Sequence, residues 1–98
     1  MAKLSSFKKS EKIFKGLASA KRLLILDTLS KSAGLNLSEI SDFLKLNLKT
    51  AASHCRRLEE AGLIEKRKKG REVLHTLTYL GRGMISIADR TKDLVDRI

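Results

Sequence analysis

The segment Ser53-His54-Cys55-Arg56-Arg57 places the only cysteine of the chain beside one of its two histidines. A thiol next to an imidazole could form a metal site or a nucleophile with its base, or the pair could do neither. A nucleophile and its base must point into one pocket. Neighbouring residues on a helix diverge by about 100°. If this segment is helical, the two side chains point apart and cannot share chemistry.

The charge of the whole chain suggests what it binds. Its 98 residues carry a formal net charge of +10, and such a field attracts polyanions. Nucleic acid is the first expectation, ahead of an anionic membrane or an acidic protein. No segment approaches the roughly 20 apolar residues of a membrane span, and residues 1–10 lack the apolar core of a signal peptide. With a single cysteine, which suits a reducing compartment, we expect a cytoplasmic protein and one domain over residues 1–98.

Apolar periodicity divides the chain into five helices and one hairpin. Steps of three and four predict helices over about 6–17, 20–30, 37–44, 49–61 and 82–98. Asn36 and Glu39 form a capping pattern for the third helix, in which Ile40, Phe43 and Leu44 are expected to face inward. Two short strands within about 63–78 flank a glycine and predict a β-hairpin, whose second strand carries His75 as a partly exposed residue.

The arrangement of two short helices followed by a basic hairpin resembles a known family. LSEISDFLKLNLKTAASHCRRLEEAGLIEKRKKGR, together with the earlier IFKGLASAKRLLIL, resembles the ArsR-type transcriptional regulators over about residues 13–78. The resemblance implies a mainly α (α+β) fold, a winged helix-turn-helix with its helix-turn-helix at about 37–61 and its wing at about 63–78. It also implies a homodimer joined through the first and last helices. Lys45 stands where the family usually has glycine, and Thr78 to Gly83 is similar to MarR-type regulators, so the subfamily stays open.

Two groups of residues are expected to contact double-stranded DNA. On helix 49–61, Leu48, Ala51, Cys55 and Leu58 share one side, which we assign to the core. The opposite side can enter a major groove, because that groove admits one α-helix. It carries Lys49, Thr50, Ser53, His54, Arg56 and Arg57. The wing adds Lys66, Arg67, Lys68, Lys69 and Arg71, expected to contact backbone and minor groove in a salt-dependent manner. Each group could instead be an ordinary solvated surface, and His54 could pack against the turn.

The metal sites of the ArsR-type regulators lack their ligands here. The resemblance places one site at Asn36 and Ser38, which offer no thiolate, and the other on the last helix, which has Asp89, Asp93 and Asp96 but no histidine. Zinc-like metals prefer thiolate and imidazole ligands. We therefore predict no metal sensing and no cofactor. With neither a phosphate loop nor a paired-carboxylate cleft, we do not expect an enzyme.

The functional prediction is a sequence-specific DNA-binding transcription regulator, acting as a homodimeric repressor. The alternative is a winged-helix module that binds another protein and holds nucleic acid only non-specifically. RNA binding ranks lower, because aromatic residues that could stack on single-stranded bases are few.

Overall fold

The computed structural model describes residues 3–97. In this range the chain forms five helices and one two-stranded antiparallel sheet, so the predicted mainly α winged helix-turn-helix fold is confirmed. The elements are α1 (Leu4–Leu17), α2 (Ala20–Ser30), α3 (Leu37–Leu44), α4 (Leu48–Glu60), β1 (Ile64–Lys69), β2 (Glu72–Leu77) and α5 (Tyr79–Asp96). Across residues 3–97, no helix has the length and apolar character that a bilayer crossing requires.

Helix α2 lies at the centre of the molecule and contacts α1, α3, α4, α5 and β2. It begins at a Ser19 cap, whose hydroxyl accepts a hydrogen bond from the amide of Arg22 at 3.3 Å. Ile25, Leu26 and Leu29 are almost completely buried. Because α2 contacts all these elements and contributes these three side chains to the core, its position sets how the other helices lie relative to one another.

The helix-turn-helix is built from two capped helices and a tight turn. Asn36 and Glu39 form the predicted capping box at the start of α3. Lys45 closes α3 in the left-handed region, at φ 52°, a conformation that is costly for a residue with a side chain. Asn47 then accepts a hydrogen bond from the amide of Thr50 at 2.8 Å and starts α4. The turn therefore keeps the glycine-like geometry even though a lysine occupies it.

Two apolar side chains that the sequence assigned to the core are exposed. Phe43 is 71% exposed and Leu48 is 54% exposed. Adjacent residues on a helix diverge, so the packing of Leu44 against the core turns Phe43 outward. Leu48 is the first residue of α4, where the helix leaves the turn. Both predictions of burial were wrong, and these two residues flank the turn on the surface.

The wing is a hairpin held down by a third segment of chain. Its strands pair from Ile64 with Leu77 to Lys69 with Glu72, and Gly70 turns between them at φ 64°. Leu35 forms an isolated antiparallel bridge to His75, with backbone hydrogen bonds of 2.7 and 3.1 Å. His75 is only 4% exposed, so its prediction as a partly exposed residue was wrong. The cause is Leu35, which covers the outer edge of β2.

The outer helices begin earlier than the sequence suggested. Helix α1 begins at Leu4, and α5 begins at Tyr79 and ends at Asp96. Thr78 caps α5 by accepting a hydrogen bond from the amide of Gly81 at 3.0 Å, and its hydroxyl donates to the carbonyl of Gly62. Because Thr78 forms both hydrogen bonds, α5 begins immediately after the wing and its first turn lies against the base of the wing.

Candidate nucleic-acid interface

Helix α4 has one buried side and one solvent-facing side. Ala51, Cys55 and Leu58 are buried, as predicted. The opposite side exposes Lys49, Ser53, Arg56 and Arg57 and leaves Thr50 and His54 partly exposed. Small side chains therefore lie near the start of the helix, and the two long arginines lie near its end. The arrangement leaves the first half of α4 open to close approach by a large partner.

Cys55 and His54 differ in environment as well as direction. Burial raises the pKa of the Cys55 thiol to about 11, with a further rise from Glu59 and a smaller opposing effect of Lys66. The thiol is therefore protonated at neutral pH and is a poor nucleophile. Desolvation, followed by the positive charges of Arg22 and Lys21, lowers the pKa of His54. A neutral imidazole on the outer side of α4 and a buried thiol on its inner side share no chemistry.

The two adjacent arginines of α4 point to opposite flanks. Arg56 lines a groove of about 300 Å³ between α4 and the wing, together with Lys66 and Val73. Arg57 lines a cleft between α4 and α1. The helix thus presents one arginine on each flank of its solvent-facing side.

The wing cations are divided between the two faces of the hairpin. Alternate residues of a strand point to opposite faces, so Lys66 and Lys68 share one face and Arg67 and Lys69 the other. Lys66 lies toward α4, where its Nζ is 3.8 Å from a carboxylate oxygen of Glu59. All five wing cations are exposed. The hairpin therefore carries positive charge on both faces and, through Lys69 and Arg71, at its tip.

Two further cations, which were not predicted from the sequence, lie beside the solvent-facing side of α4. Lys21 and Arg22 lie in the first turn of α2 and are close enough to His54 to influence its pKa. The sequence held a signal for them. Positive side chains are unfavourable at a helix N-terminus, so two consecutive cations in the first turn after the Ser19 cap indicate a role other than stabilising α2.

Asn36 and Asp89, two of the positions that the resemblance assigned to metal sites, have other contacts here. The Asn36 side chain is engaged by the Glu39 amide and by Glu72, whose Oε1 accepts a hydrogen bond from Nδ2 at 2.9 Å. On α5, Asp89 pairs with Lys92 at 3.1 Å. Within residues 3–97, no cluster of three or more histidine, cysteine, aspartate or glutamate side chains is arranged to hold a metal ion.

Comparison with known proteins decides the family. Residues 19–65 match the winged helix-turn-helix DNA-binding family. An uncharacterised HTH-type transcriptional regulator of Methanocaldococcus jannaschii is 31% identical over 67 residues, which is 68% of this chain and 75% of that protein. The chain belongs to the winged helix-turn-helix transcriptional regulators.

Two solved structures overlay closely on this one. HlyU from Vibrio cholerae has a TM-score of 0.77 and 30% identity, over 93% of this chain and 97% of that one. A homodimeric winged helix-turn-helix DNA-binding domain from Mycobacterium bovis, a possible ArsR-family transcriptional regulator, has a TM-score of 0.82 and 23% identity, over 95% and 91%. The second likeness shows the fold alone.

Proposed function

We propose that this winged helix-turn-helix regulator is a cytoplasmic, homodimeric repressor that reads double-stranded DNA, without catalytic activity or a cofactor. The observation that carries the proposal is the outer side of α4, with small side chains at its start and an arginine on each flank, next to a wing with five exposed cations. An α-helix fits the major groove, and its N-terminal residues contact base edges in proteins of this class. Lys49, Thr50 and Ser53 occupy that place in α4.

Most of the binding energy in this proposal comes from phosphate contacts. Arg56 and Arg57 lie on the two flanks of the solvent-facing side of α4, and His54 is partly exposed between that side and the buried one. In this proposal they contact the DNA backbone, and such contacts fix the register of the helix in the groove. The wing residues Lys66, Arg67, Lys68, Lys69 and Arg71 then reach the neighbouring backbone and minor groove. Each phosphate contact should make the affinity more dependent on salt.

The dimer in this proposal forms through α1 and α5. Both helices expose large apolar side chains, with Leu4, Phe7, Phe14, Ile87, Leu94 and Val95 between 53% and 73% exposed. A groove of about 270 Å³ runs between the two helices and is lined by Phe14, Leu17, Met84 and Ile87. Extensive apolar surface of this kind is characteristic of a protein interface. A two-fold dimer would present two copies of α4, and occupying two grooves would exclude other proteins from the site, which is how we expect repression to work.

The test is a selection of bound sequences from a random duplex pool, at two salt concentrations. Wild-type protein should enrich a two-fold symmetric motif. Lys49→Ala with Ser53→Ala should change which bases are enriched, because both lie at the start of α4. Lys68→Ala should weaken binding to all sequences and lower the salt slope by about 1. Enrichment of the same motif by wild type and the α4 double variant would contradict sequence reading by this helix.

A second candidate is a module that binds another protein and holds DNA only through its charge. The exposure of Phe43 and Leu48 on either side of the turn favours it, since each offers an apolar contact outside α1 and α5. In that case the selection would enrich no motif. Phe43→Ala would then leave DNA binding unchanged and abolish saturable binding to the protein partner.

A further inference from the structure

A small basic cleft lies at the junction of α1, α2 and α4, beside the surface described above. Its volume is about 130 Å³, roughly ten times the 10–15 Å³ that one water molecule needs. Four cations line it, one or two from each helix: Lys12 and Lys15 of α1, Arg22 of α2 and Arg57 of α4. Glu60 is the one carboxylate among its described lining residues. We call it the α1/α4 cleft.

The positive charge in the α1/α4 cleft is mostly uncompensated. Lys15 is 3.9 Å from Glu11, but both side chains are largely exposed, and such pairs contribute little. Among residues 3–97, Lys12, Arg22 and Arg57 form no ion pair. The Nε atom of Arg22 is buried and has no hydrogen-bond partner in the described part of the chain. A buried donor of a charged group is costly to leave unpaired, so Arg22 brings an uncompensated guanidinium group to the lining of the cleft.

The backbone around the cleft holds the cations close together. A methyl group on Gly16 would lie 2.8 Å from the Cβ atom of Ala61, so α1 and α4 approach more closely here than any larger residue would permit. Both residues line the cleft. The cations therefore converge on a site whose walls are two packed helices and not flexible loops.

We propose that the α1/α4 cleft binds a phosphate group. Two guanidinium groups and two ammonium groups offer many more donors than the two oxygens of a carboxylate can accept, whereas a phosphate group offers three or four oxygens. The phosphate has two candidate sources: the backbone of a duplex lying on α4, or a free phosphate such as that of a small phosphorylated metabolite. Lys12, Lys15 and Arg22 are not among the DNA contacts proposed above, so this site extends beyond that proposal.

The first experiment needs no DNA and so stands apart from the proposed regulatory function. Inorganic phosphate is titrated into the full chain, and the backbone amide signals of Gly16 and Ala61 are followed by NMR. Saturable shifts are expected there in the wild type. Arg22→Gln should weaken the binding roughly tenfold or more, and Lys12→Ala roughly fivefold. Lys45→Ala removes the same charge from an exposed residue that lines no part of the cleft, and it should leave the affinity for phosphate unchanged.

His54 supplies a second readout in the same titration. Arg22 is one of the charges that lower its pKa, and a bound phosphate would offset that charge. The pKa of His54 should therefore rise when phosphate is added to the wild type and stay constant in Arg22→Gln. If Arg22→Gln does not fold, the exposed Lys12→Ala variant and the His54 titration of the wild type still decide the result.

Duplex binding separates the two sources. If the site takes a backbone phosphate, free phosphate competes with the duplex and Lys12→Ala lowers the salt slope by about 1. If it takes a free phosphate, Lys12→Ala weakens phosphate binding and leaves the duplex salt slope unchanged. Either result supports the site. Non-saturating shifts that are equal in wild type, Arg22→Gln and Lys45→Ala would overturn it.

Discussion

Gly81 packs directly against the backbone of Leu63, since a methyl group on Gly81 would lie 2.1 Å from the Leu63 carbonyl oxygen. The same oxygen accepts a hydrogen bond from the amide of Thr78 at 3.1 Å. The first turn of α5 is therefore seated on the residue that leads into the wing, and no side chain larger than hydrogen fits between them.

We expect Gly81→Ala to lower the free energy of unfolding by about 2–3 kcal/mol, because backbone atoms cannot move aside as a side chain does. Gly83→Ala is the matched control, two residues along the same helix, where an added methyl meets nothing within 4 Å. It should raise the free energy of unfolding by about 0.5–1 kcal/mol, because alanine favours a helix. Urea denaturation at one fixed protein concentration compares the two. Equal effects would show that the Gly81 contact is unimportant.

The left-handed turn residue predicts a stabilising substitution. Lys45→Gly should raise the free energy of unfolding by about 1 kcal/mol, because glycine adopts φ 52° without steric cost. Lys45→Ala keeps the steric conflict and should bring no gain. Thermal unfolding of the three proteins measures this difference. If Lys45→Ala stabilised the protein as much as Lys45→Gly, the gain would come from removal of the lysine charge and not from the backbone conformation.

The raised pKa of Cys55 predicts an alkaline loss of stability. The thiol ionises near its ordinary value of 9.0 in the unfolded chain and near 11 in the folded protein. Its contribution to stability is therefore fully present below about pH 9 and is lost as the pH rises toward 11. Denaturant unfolding of wild type and Cys55→Ala is measured across this pH range. The free energy of unfolding should fall with rising pH more steeply in the wild type than in the variant, and the difference is the contribution of the thiol. A thiol reagent at pH 7.5 should label the native protein far more slowly than the protein in urea.

The apolar surface of α1 predicts the oligomeric state. Phe14→Asp places a charge in the groove between α1 and α5 and should convert a dimer to a monomer, which sedimentation equilibrium measures. Phe43→Asp alters a similarly exposed phenylalanine on α3 and should leave the dimer intact. The Phe14→Asp monomer should bind a full palindrome no better than a half-site. A wild type that sediments as a monomer at micromolar concentration would contradict the proposed dimer.

Patterns within single elements predicted most of the fold. The cap at Asn36 and the spacing in α4 depend on residues three or four apart, so the sequence shows them directly. The burial of His75 and the exposure of Phe43 depend on contacts between segments that are far apart in the sequence. His75 is covered by Leu35, which lies 40 residues earlier. Nothing in the sequence around Leu35 or His75 indicates that the two residues form a bridge.

The same distinction applies to the candidate site. Spacing along α4 showed that Cys55 faces inward, and runs of lysine and arginine marked the wing. The convergence of Lys12, Arg22 and Arg57 could not be predicted, because it depends on how closely α1 approaches α4 at Gly16. Periodicity identifies the faces of a helix but does not say which neighbouring helix each face meets.

The bridge between Leu35 and His75, with the hydrogen bond from Asn36 to Glu72, ties the wing to the segment that begins α3. These contacts hold the hairpin against the start of α3 and so restrict changes in the distance between the wing and α4 within one chain. If the chain binds DNA as the dimer proposed above, adjustment to DNA of a different helical repeat would come from the joint between the two subunits. A half-site that demands a shorter distance between α4 and the wing would have to be deformed to be bound.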